Sequence, residues 1–327
     1  MKNALGSVLV SLLSIGAVAQ PDSPLKLTRT IALPTVTGRL DHLAFDAPRQ
    51  RLYVTAPVNN TVEVVDLPAG KALDPLPVKE PHDALLLSKP NLLYVTSGAD
   101  GCVKVFDCAA ERPIKTIGHL PDADNLRFDA PAGRIYVAYG DGALAMINAQ
   151  TGVQTVTIPL AGHPEGFAIE SLGERIFVNV PAARHIAVIQ RLSREVVATW
   201  PPGTNAANFS MALDEASQRL FVACRQPPRL VVLDTKTGRR VAELETAGDV
   251  DNLFYDARRK RLYASCGEGF LECVAAPDAD HYQALPRLAT ARGARTCLFE
   301  EVSSQLFLAV PRRENQPAEI RVFSVGP

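Results

Sequence analysis

The 327-residue sequence predicts an all-β fold, a seven-bladed β-propeller of four-stranded blades, and three observations support this prediction. A short apolar motif recurs seven times, at intervals of 41, 42, 41, 44, 42 and 44 residues. Each unit also holds short alternating segments bounded by turn residues, which is the pattern of strands. The 25 Pro and 21 Gly, spread along the chain, would interrupt long helices. A period near 42 with four strands per unit is typical of a propeller blade, because solenoids of that period are helical.

Residues 1–19 have the pattern of a signal peptide. Lys2 precedes an apolar stretch of 15 residues, Ala4 to Val18, and Ala17-Val18-Ala19 offers the small residues that a signal peptidase reads. The stretch is shorter than the roughly 20 residues that a spanning helix needs. We therefore expect cleavage after Ala19, no transmembrane segment in the mature chain, and a periplasmic or secreted location. An uncleaved N-terminal anchor is the alternative.

The apolar motifs predict the second strand of each blade. About ten residues after each motif comes an alternating run, such as Val62–Asp66 or Val103–Asp107, which predicts the third strand. Residues 20–327 should therefore form one propeller domain. The seven motifs are Leu52-Tyr53-Val54, Leu93-Tyr94-Val95, Ile135-Tyr136-Val137, Ile176-Phe177-Val178, Leu220-Phe221-Val222, Leu262-Tyr263-Ala264 and Leu306-Phe307-Leu308.

The two ends of the chain are expected to complete one blade. After the last motif the sequence supplies only one more strand, Glu319–Phe323, so the seventh unit lacks its outermost strand. The segment 20–34, which contains the strand-like run Leu25–Ile31, is available to fill that position. Pairing of the two ends would satisfy backbone groups that an open ring leaves exposed.

The repeats resemble a known family. Leu52-Tyr53-Val54-Thr55 followed by Asn60–Asp66, and Leu93-Tyr94-Val95-Thr96 followed by Gly101–Asp107, are similar to the bacterial YVTN beta-propeller repeat of the YncE-like exported proteins. The similarity extends over nearly all of the mature chain, although the Asn of the repeat is present only once, as Asn179. The resemblance implies an exported propeller. It says little about activity, because propellers include both binding proteins and enzymes.

Alignment of the seven units on their apolar motifs gives columns of equivalent positions, and we interpret two of these columns as structural. Six residues before each motif the chain carries an acid in six of seven units, and the unit that lacks the acid, at Leu87, also lacks the Arg that precedes most other motifs. We expect turn hydrogen bonds and ion pairs across the turn between the first and second strands. The acidic positions are Asp46, Asp129, Glu170, Asp214, Asp256 and Glu300.

Two further columns are candidates for a ligand site. They lie eleven and ten residues before each motif, at the start of the innermost strand, where each blade reaches the mouth of the central channel. Both are mostly polar, so the mouth should carry a polar ring. The first column is Asp41, His82, Asp124, Glu165, Phe209, Asp251 and Arg295, and the second is His42, Asp83, Asn125, Gly166, Ser210, Asn252 and Thr296.

A metal is one of two interpretations of this ring. Asp124 and Asp251 belong to nearly duplicated segments three blades apart, which places them about 154° apart on a seven-bladed ring. Clustered carboxylates repel each other unless a cation, a proton or hydrogen bonds offset the charge, so a hard ion such as Ca²⁺ is expected if the pair binds a metal. A hydrated mouth without a cofactor is the other interpretation. His163 is interpreted as a turn residue.

Arginines are expected on one side of the same mouth. Arg225 and Arg229 follow the second strand of the fifth unit, whereas Asp100 and Asp141 occupy the equivalent loops of the second and third units. Guanidinium groups bind carboxylates and phosphates through paired donors. An anionic or zwitterionic ligand, or a charged protein segment, therefore fits this rim, as does a purely solvated rim.

The spacing of the six cysteines argues against a disulfide framework. Cys102 and Cys108 face the same side of one predicted strand about 20 Å apart, so they cannot bond each other. No zinc-binding spacing is present, and we interpret most of the six as small buried hydrophobic residues. A disulfide between different segments remains open.

The composition of the chain and the absence of common catalytic motifs narrow the classes of function that we expect. A net charge of −1 gives no attraction to nucleic acid. The common hydrolase, zinc-protease, phosphate-loop and dinucleotide motifs are absent. We expect a monomeric, non-enzymatic binding or scaffold propeller that recognises a protein, peptide or small molecule at the polar mouth. The alternative is a metal-dependent hydrolase or lactonase whose acidic site lies in the channel.

Overall fold

The computed structural model describes residues 23–327 as seven antiparallel sheets that form a ring. The innermost strand of each sheet contacts that of the next, and the seventh contacts the first. The predicted seven-bladed, four-stranded propeller is therefore confirmed. The signal peptide predicted at 1–19 lies outside the described residues and stays a prediction. Within the described range no helix has the length and apolar character needed to span a membrane.

The inner strands surround the channel. They run from the channel mouth toward the opposite face, so the residues that precede or begin them lie at the mouth. In blades 1 to 7 the inner strands are Leu43–Asp46, Pro81–Leu87, Leu126–Asp129, Phe167–Ile169, Ala206–Asp214, Val250–Asp256 and Thr296–Glu300.

The second and third strands form the middle of each sheet. The second strands contain the apolar motifs, and they are Arg51–Ala56, Leu92–Ser97, Arg134–Tyr139, Arg175–Val180, Arg219–Gln226, Arg261–Cys266 and Gln305–Val310. The third strands are Thr61–Asp66, Cys102–Asp107, Ala143–Asn148, His185–Gln190, Pro228–Asp234, Phe270–Ala275 and Ala318–Val325. Short 3-10 turns, Pro57–Asn59 and Pro181–Ala183, connect the two strands in blades 1 and 4.

The hydrophobic core is divided among the seven blade interfaces. Residues 23–327 form seven apolar clusters, and each cluster joins two neighbouring blades. In blade 1, Tyr53 packs toward blade 2, whereas Leu52 and Val54 pack toward blade 7. Both faces of a blade are therefore buried, which explains why the motifs are continuous apolar runs rather than alternating ones.

The outer strands vary most. Blades 1 and 6 replace a continuous outer strand by two short pieces, and the outer strand of blade 7 comes from the N-terminal part of the chain, with Ile31 opposite Ile320. The outer strands are Lys71–Ala72 with Leu76–Pro77, Arg112–Ile117, Gln154–Pro159, Glu195–Trp200, Arg240–Glu245, Gln283–Ala284 with Leu288–Ala289, and Leu25–Leu33.

All six cysteines are free and buried, as most of them were expected to be. Burial raises the pKa of all six thiols, and it raises those of Cys224 and Cys297 to about 12. These thiols are protonated at neutral pH and act as small hydrophobic side chains.

Candidate functional site

The first polar column forms one ring at the mouth of the channel. All seven of its members line a single open cavity of about 210 Å³. The structure thus brings together Asp41, His82, Asp124, Glu165, Asp251 and Arg295 as the sequence predicted, and Phe209 completes the ring. Their ligand-binding role stays a prediction.

The second column is divided between the mouth and the wall of the channel. His42 and Asn125 line the mouth cavity together with the first column. Asp83 and Asn252 instead tie neighbouring blades, because Asp83 accepts a hydrogen bond from the amide of Leu126 at 2.8 Å and Asn252 Oδ1 accepts one from the amide of Cys297 at 2.9 Å. Asp83 and Asn252 therefore hold inner strands in register below the mouth.

The side of the mouth formed by blades 5 to 7 is neutralised internally. Asp251 is bound by two guanidiniums, with Arg225 Nη2 at 2.6 Å and Arg295 Nε at 3.0 Å. Both arginines also contact Asp249, and the Arg225 guanidinium lies 3.7 Å from the centroid of the Phe209 ring. These guanidiniums already have carboxylate partners, so they offer little to an anionic ligand.

Asp41 organises the neighbouring side, formed by blades 1 and 2. Arg39 Nη1 donates a hydrogen bond to its carboxylate, and His82 Nδ1 lies 3.3 Å from Asp41 Oδ2. His42 lies on the other side, with its Nε2 3.9 Å from Asp41 Oδ1. Asn252 Nδ2 is 3.1 Å from His42 Nδ1, so the amide donates to that ring nitrogen and leaves the proton of neutral His42 on Nε2.

The charges around Asp41 shift several pKa values. Burial opposes ionisation of Asp41, but the hydrogen bond to His82 and the nearby His42 and Arg39 outweigh it and lower the pKa. Burial likewise opposes protonation of His42 and His82, yet neighbouring carboxylates raise both pKa values above the ordinary range. Asp251 behaves differently, because its burial raises the pKa despite the adjacent Arg225.

Blades 3 and 4 leave carboxylates without a guanidinium or ammonium partner. Within residues 23–327, Asp122 and Asp124 form ion pairs only with His163, at 3.5 and 3.6 Å. In the same range Glu165 has no ion pair and no side-chain hydrogen bond. Burial and the nearby Asp124 raise the pKa of Glu165. A hydrogen bond to Asp124 raises the pKa of His163. The carboxyl groups of the mouth that lack a guanidinium partner are therefore found here.

One predicted site residue lies elsewhere. Arg229 does not line the mouth, because its side chain pairs with Glu243 at 3.5 Å and Glu245 at 3.1 Å on the outer strand of blade 5. Arg225 and Arg229 are four residues apart but on strands joined by a tight turn, so only Arg225 reaches the channel. Of the two arginines expected on this rim, only Arg225 lines the mouth.

Sequence reasoning missed a third column. Arg39, Asp122 and His163 line the mouth, and Asp249 contacts the guanidiniums that do so. Each lies two residues before a member of the first column. Because side chains of extended backbone alternate with a period of two, this offset was the available signal. His163, which had been interpreted as a turn residue, belongs to the site.

The channel becomes apolar away from the mouth. Toward the opposite face it widens into a cavity of about 470 Å³ lined mainly by inner-strand hydrophobic residues such as Leu43, Leu85, Met211 and Leu253. Arg127 and Asp83, which form an ion pair at 3.2 Å, also line this cavity. Most of the charged groups of the channel nevertheless lie at the mouth.

The comparisons with known proteins agree with the fold. No family model matches the chain. A curated relative, the uncharacterized protein YncE of Salmonella typhimurium, is 23% identical over 241 residues, which cover 67% of this chain and 67% of YncE. Together with the seven-bladed ring, this similarity confirms the resemblance to the YncE-like propellers.

Solved structures show the same architecture at low sequence identity. A chain of the mitotic checkpoint complex superposes with a TM-score of 0.79 at 14% identity, covering 100% of this chain and 99% of that one. A chain of the Kuenenia stuttgartiensis hydrazine synthase gives a TM-score of 0.70 at 16% identity, covering 84% and 94%. At these identities the likeness concerns the fold alone.

Proposed function

We propose that this YncE-like propeller is a binding module that holds a cationic group of a peptide or small molecule at the mouth of its channel. One observation carries the proposal. Three carboxylates, those of Asp122, Asp124 and Glu165, converge on blades 3 and 4, and His163 is the only basic group within ion-pair distance of them in residues 23–327.

The ion pairs already formed within the mouth favour a cation rather than an anion as the ligand. Five carboxylates, three guanidiniums and three imidazoles line the cavity, and each guanidinium is already paired with Asp41 or Asp251. A carboxylate ligand would have to displace one of these partners. An ammonium or guanidinium group meets carboxylates that lack such a partner, and opposite charges that are partly removed from water attract strongly.

The exposure of the acidic side to solvent and its position at the mouth of the channel also favour this site. The side chain of Asp122 is 65% exposed, so the acidic side is open to solvent. Most side chains that line the channel below are apolar, so a charged ligand group meets more polar partners at the mouth. A peptide side chain or a small amine is short enough to be held there while the rest of the ligand lies on the face of the propeller.

The test is titration calorimetry with the tripeptide Gly-Lys-Gly as the probe and EDTA in the buffer. We expect binding to the wild type and about tenfold weaker binding to Asp124→Asn and to Glu165→Gln, since each loses a charge-assisted hydrogen bond. Asp278→Asn, which removes an exposed carboxylate on blade 6, is the matched control and should bind normally. Absence of binding, equal binding of N-acetylated Gly-Glu-Gly, which carries no cationic group, or unchanged affinity in both mouth variants would contradict the proposal.

A metal-dependent hydrolase at the same mouth is the second candidate. It is favoured by the close approach of Asp124, His163 and Glu165, whose potential ligand atoms lie within 4.8 Å of one another. Such an enzyme needs a metal ion to activate water. A hydrolase of this kind therefore requires that Asp124, His163 and Glu165 bind a metal ion.

A further inference from the structure

We propose that Asp124, His163 and Glu165 form a binding site for a divalent transition metal of the zinc class. The inference rests on the proposed function, because it identifies the cation that the acidic side of the mouth takes. It also replaces the calcium site expected at Asp124 and Asp251, since Asp251 is bound by Arg225 and Arg295.

The geometry fits a small ion with short bonds. One ligand atom of each of the three residues lies within 4.8 Å of the other two, and His163 Nε2 is 3.6 Å from Asp124 Oδ2. Tetrahedral zinc with bonds of 2.0 to 2.2 Å requires ligand atoms about 3.4 Å apart. A small rotation of Glu165 would thus complete three protein ligands and leave a fourth position for water.

His163 is already oriented as a metal ligand. Its Nδ1 lies 2.7 Å from the carbonyl oxygen of Gly140, so Nδ1–H donates to that oxygen. The lone pair of the neutral ring is then on Nε2, the atom that faces Asp124. A backbone carbonyl that accepts from the second ring nitrogen is the usual means by which proteins fix the tautomer of a ligating histidine.

The backbone of the two carboxylate residues is held by the blades. The amide of Asp124 donates to Ala138 at 2.9 Å, and the amide of Glu165 donates to Asn179 at 3.0 Å. Both acceptors lie on the second strands of blades 3 and 4. Binding therefore requires only side-chain rotation, and ligands held on rigid strands lose little entropy.

A buried hydroxyl gives independent support. Ser210 is 5% exposed, its Oγ has no hydrogen-bond partner in the described part of the chain, and it lines the narrow continuation of the mouth together with Glu165. An unpartnered buried hydroxyl is costly unless a ligand or water bonds to it. A water molecule in this continuation, beside Glu165, would supply that partner.

The chemical types of the three metal-binding side chains determine which metal ion is preferred. An imidazole with two carboxylates suits zinc, manganese and similar ions, whereas calcium prefers six to eight oxygen ligands. We therefore expect Zn²⁺ to bind far more tightly than Ca²⁺.

The experiment uses EDTA-treated full-length protein and titrates Zn²⁺, Co²⁺ and Ca²⁺ separately by calorimetry. We expect one Zn²⁺ per chain, a Co²⁺ absorption spectrum of four- or five-coordinate form, and no comparable Ca²⁺ binding. His163→Ala, Asp124→Asn and Glu165→Gln should each weaken Zn²⁺ binding at least about tenfold. His281→Ala, which removes a surface histidine paired with Asp278, is the matched control and should not.

The outcomes separate this inference from the proposed function. If Zn²⁺ fails to bind, binds no better than Ca²⁺, or is lost in His281→Ala and retained in His163→Ala, the metal site is wrong. Gly-Lys-Gly binding in EDTA then still decides the proposed function on its own. Melting curves establish that each variant is folded, and the Co²⁺ spectrum of the wild type tests the site even if a variant does not fold.

Discussion

Asp41 shows how a single buried carboxylate organises its surroundings. It is nearly inaccessible to solvent, and it faces Arg39, His42 and His82. His82 Nδ1 lies 3.3 Å from Asp41 Oδ2 and 3.2 Å from Arg39 Nη2. Protonated His82 donates from Nδ1 to Asp41, whereas the neutral ring with a free Nδ1 accepts from Arg39, so protonation determines which partner this nitrogen has.

The raised pKa of His82 makes stability depend on pH. Burial alone lowers the pKa, but the hydrogen bond to Asp41 and the charge of Asp124 raise it by more, while Arg39 opposes them. A histidine whose pKa is higher in the folded state stabilises the fold fully below about pH 6.5, and this contribution is lost as the pH rises through the folded-state pKa.

We therefore expect the difference in unfolding free energy between wild type and His82→Gln to fall as the pH rises above about 6.5. Urea unfolding from pH 6 to 9 measures this difference, and NMR titration of the ring gives the pKa directly. Asp278→Asn is the control for general effects of charge. A ring pKa at or below 6.5 would contradict the argument.

The acidic turn column shows which contacts of a single residue can be predicted from the sequence. The turn hydrogen bonds were predicted correctly, since Asp256 accepts from the amide of Arg259 at 3.0 Å. The ion pairs between the two columns were mostly wrong, because within residues 23–327 only Glu170 and Arg175 form one. Asp46 and Asp256 instead pair with an arginine three residues later, inside the turn. A backbone amide has a fixed position, but an arginine side chain is long enough to reach several partners, so sequence spacing does not determine its choice.

At the scale of the strand, the strands that are buried on both faces could be predicted from the sequence, whereas the exposed outer strands could not. The second strands are apolar on both faces, so their motifs identified seven blades without ambiguity. The outer strands are exposed and have no such pattern. The sequence therefore did not show that Pro75 and Pro77 in blade 1, and Pro286 in blade 6, accompany interrupted outer strands.

These interrupted strands should exchange their amide hydrogens first. In blades 1 and 6 each outer piece has only two residues, whereas the outer strand of blade 2 has six. Opening a two-residue piece breaks few hydrogen bonds and exposes little apolar surface. Hydrogen exchange followed by mass spectrometry should show faster labelling of 71–77 and 283–289 than of 112–117. Equal protection in the three segments would mean that strand length does not control local opening here.

At the scale of the whole molecule, the ring collects residues that are far apart in sequence. Asp41 and Arg295 line the same cavity because the seventh blade lies beside the first. Repeat counting predicted this arrangement, and with it the membership of the first column. The proposed preference for a cation was not predictable from the sequence, because it depends on which carboxyl groups remain without a partner once the arginine side chains have formed their ion pairs.

The N-terminal strand joins the ends of this ring. Leu25–Leu33 pairs with Ala318–Val325, and Ile31 and Leu33 lie in the apolar cluster shared by blades 7 and 1. Burying each of these two side chains contributes about 1.5 to 3 kcal/mol, so together they represent a large part of a typical stability of 5 to 15 kcal/mol. Removal of the strand would also expose the edge of Ala318–Val325.

A chain that begins at Pro34 should therefore melt at least about 10 °C below one that begins at Ser23, and it should associate through its open edge. Circular dichroism measures the melting temperature and size-exclusion chromatography measures association. The chain that begins at Ser23 retains the whole strand and is the matched control. Leu33→Asp in the longer chain places a charge in the same cluster and should lower the melting temperature without opening the edge. Equal melting temperatures and a monomeric shorter chain would show that the ring is closed by contacts between blades 7 and 1 alone, because the strand would then contribute neither core nor edge protection.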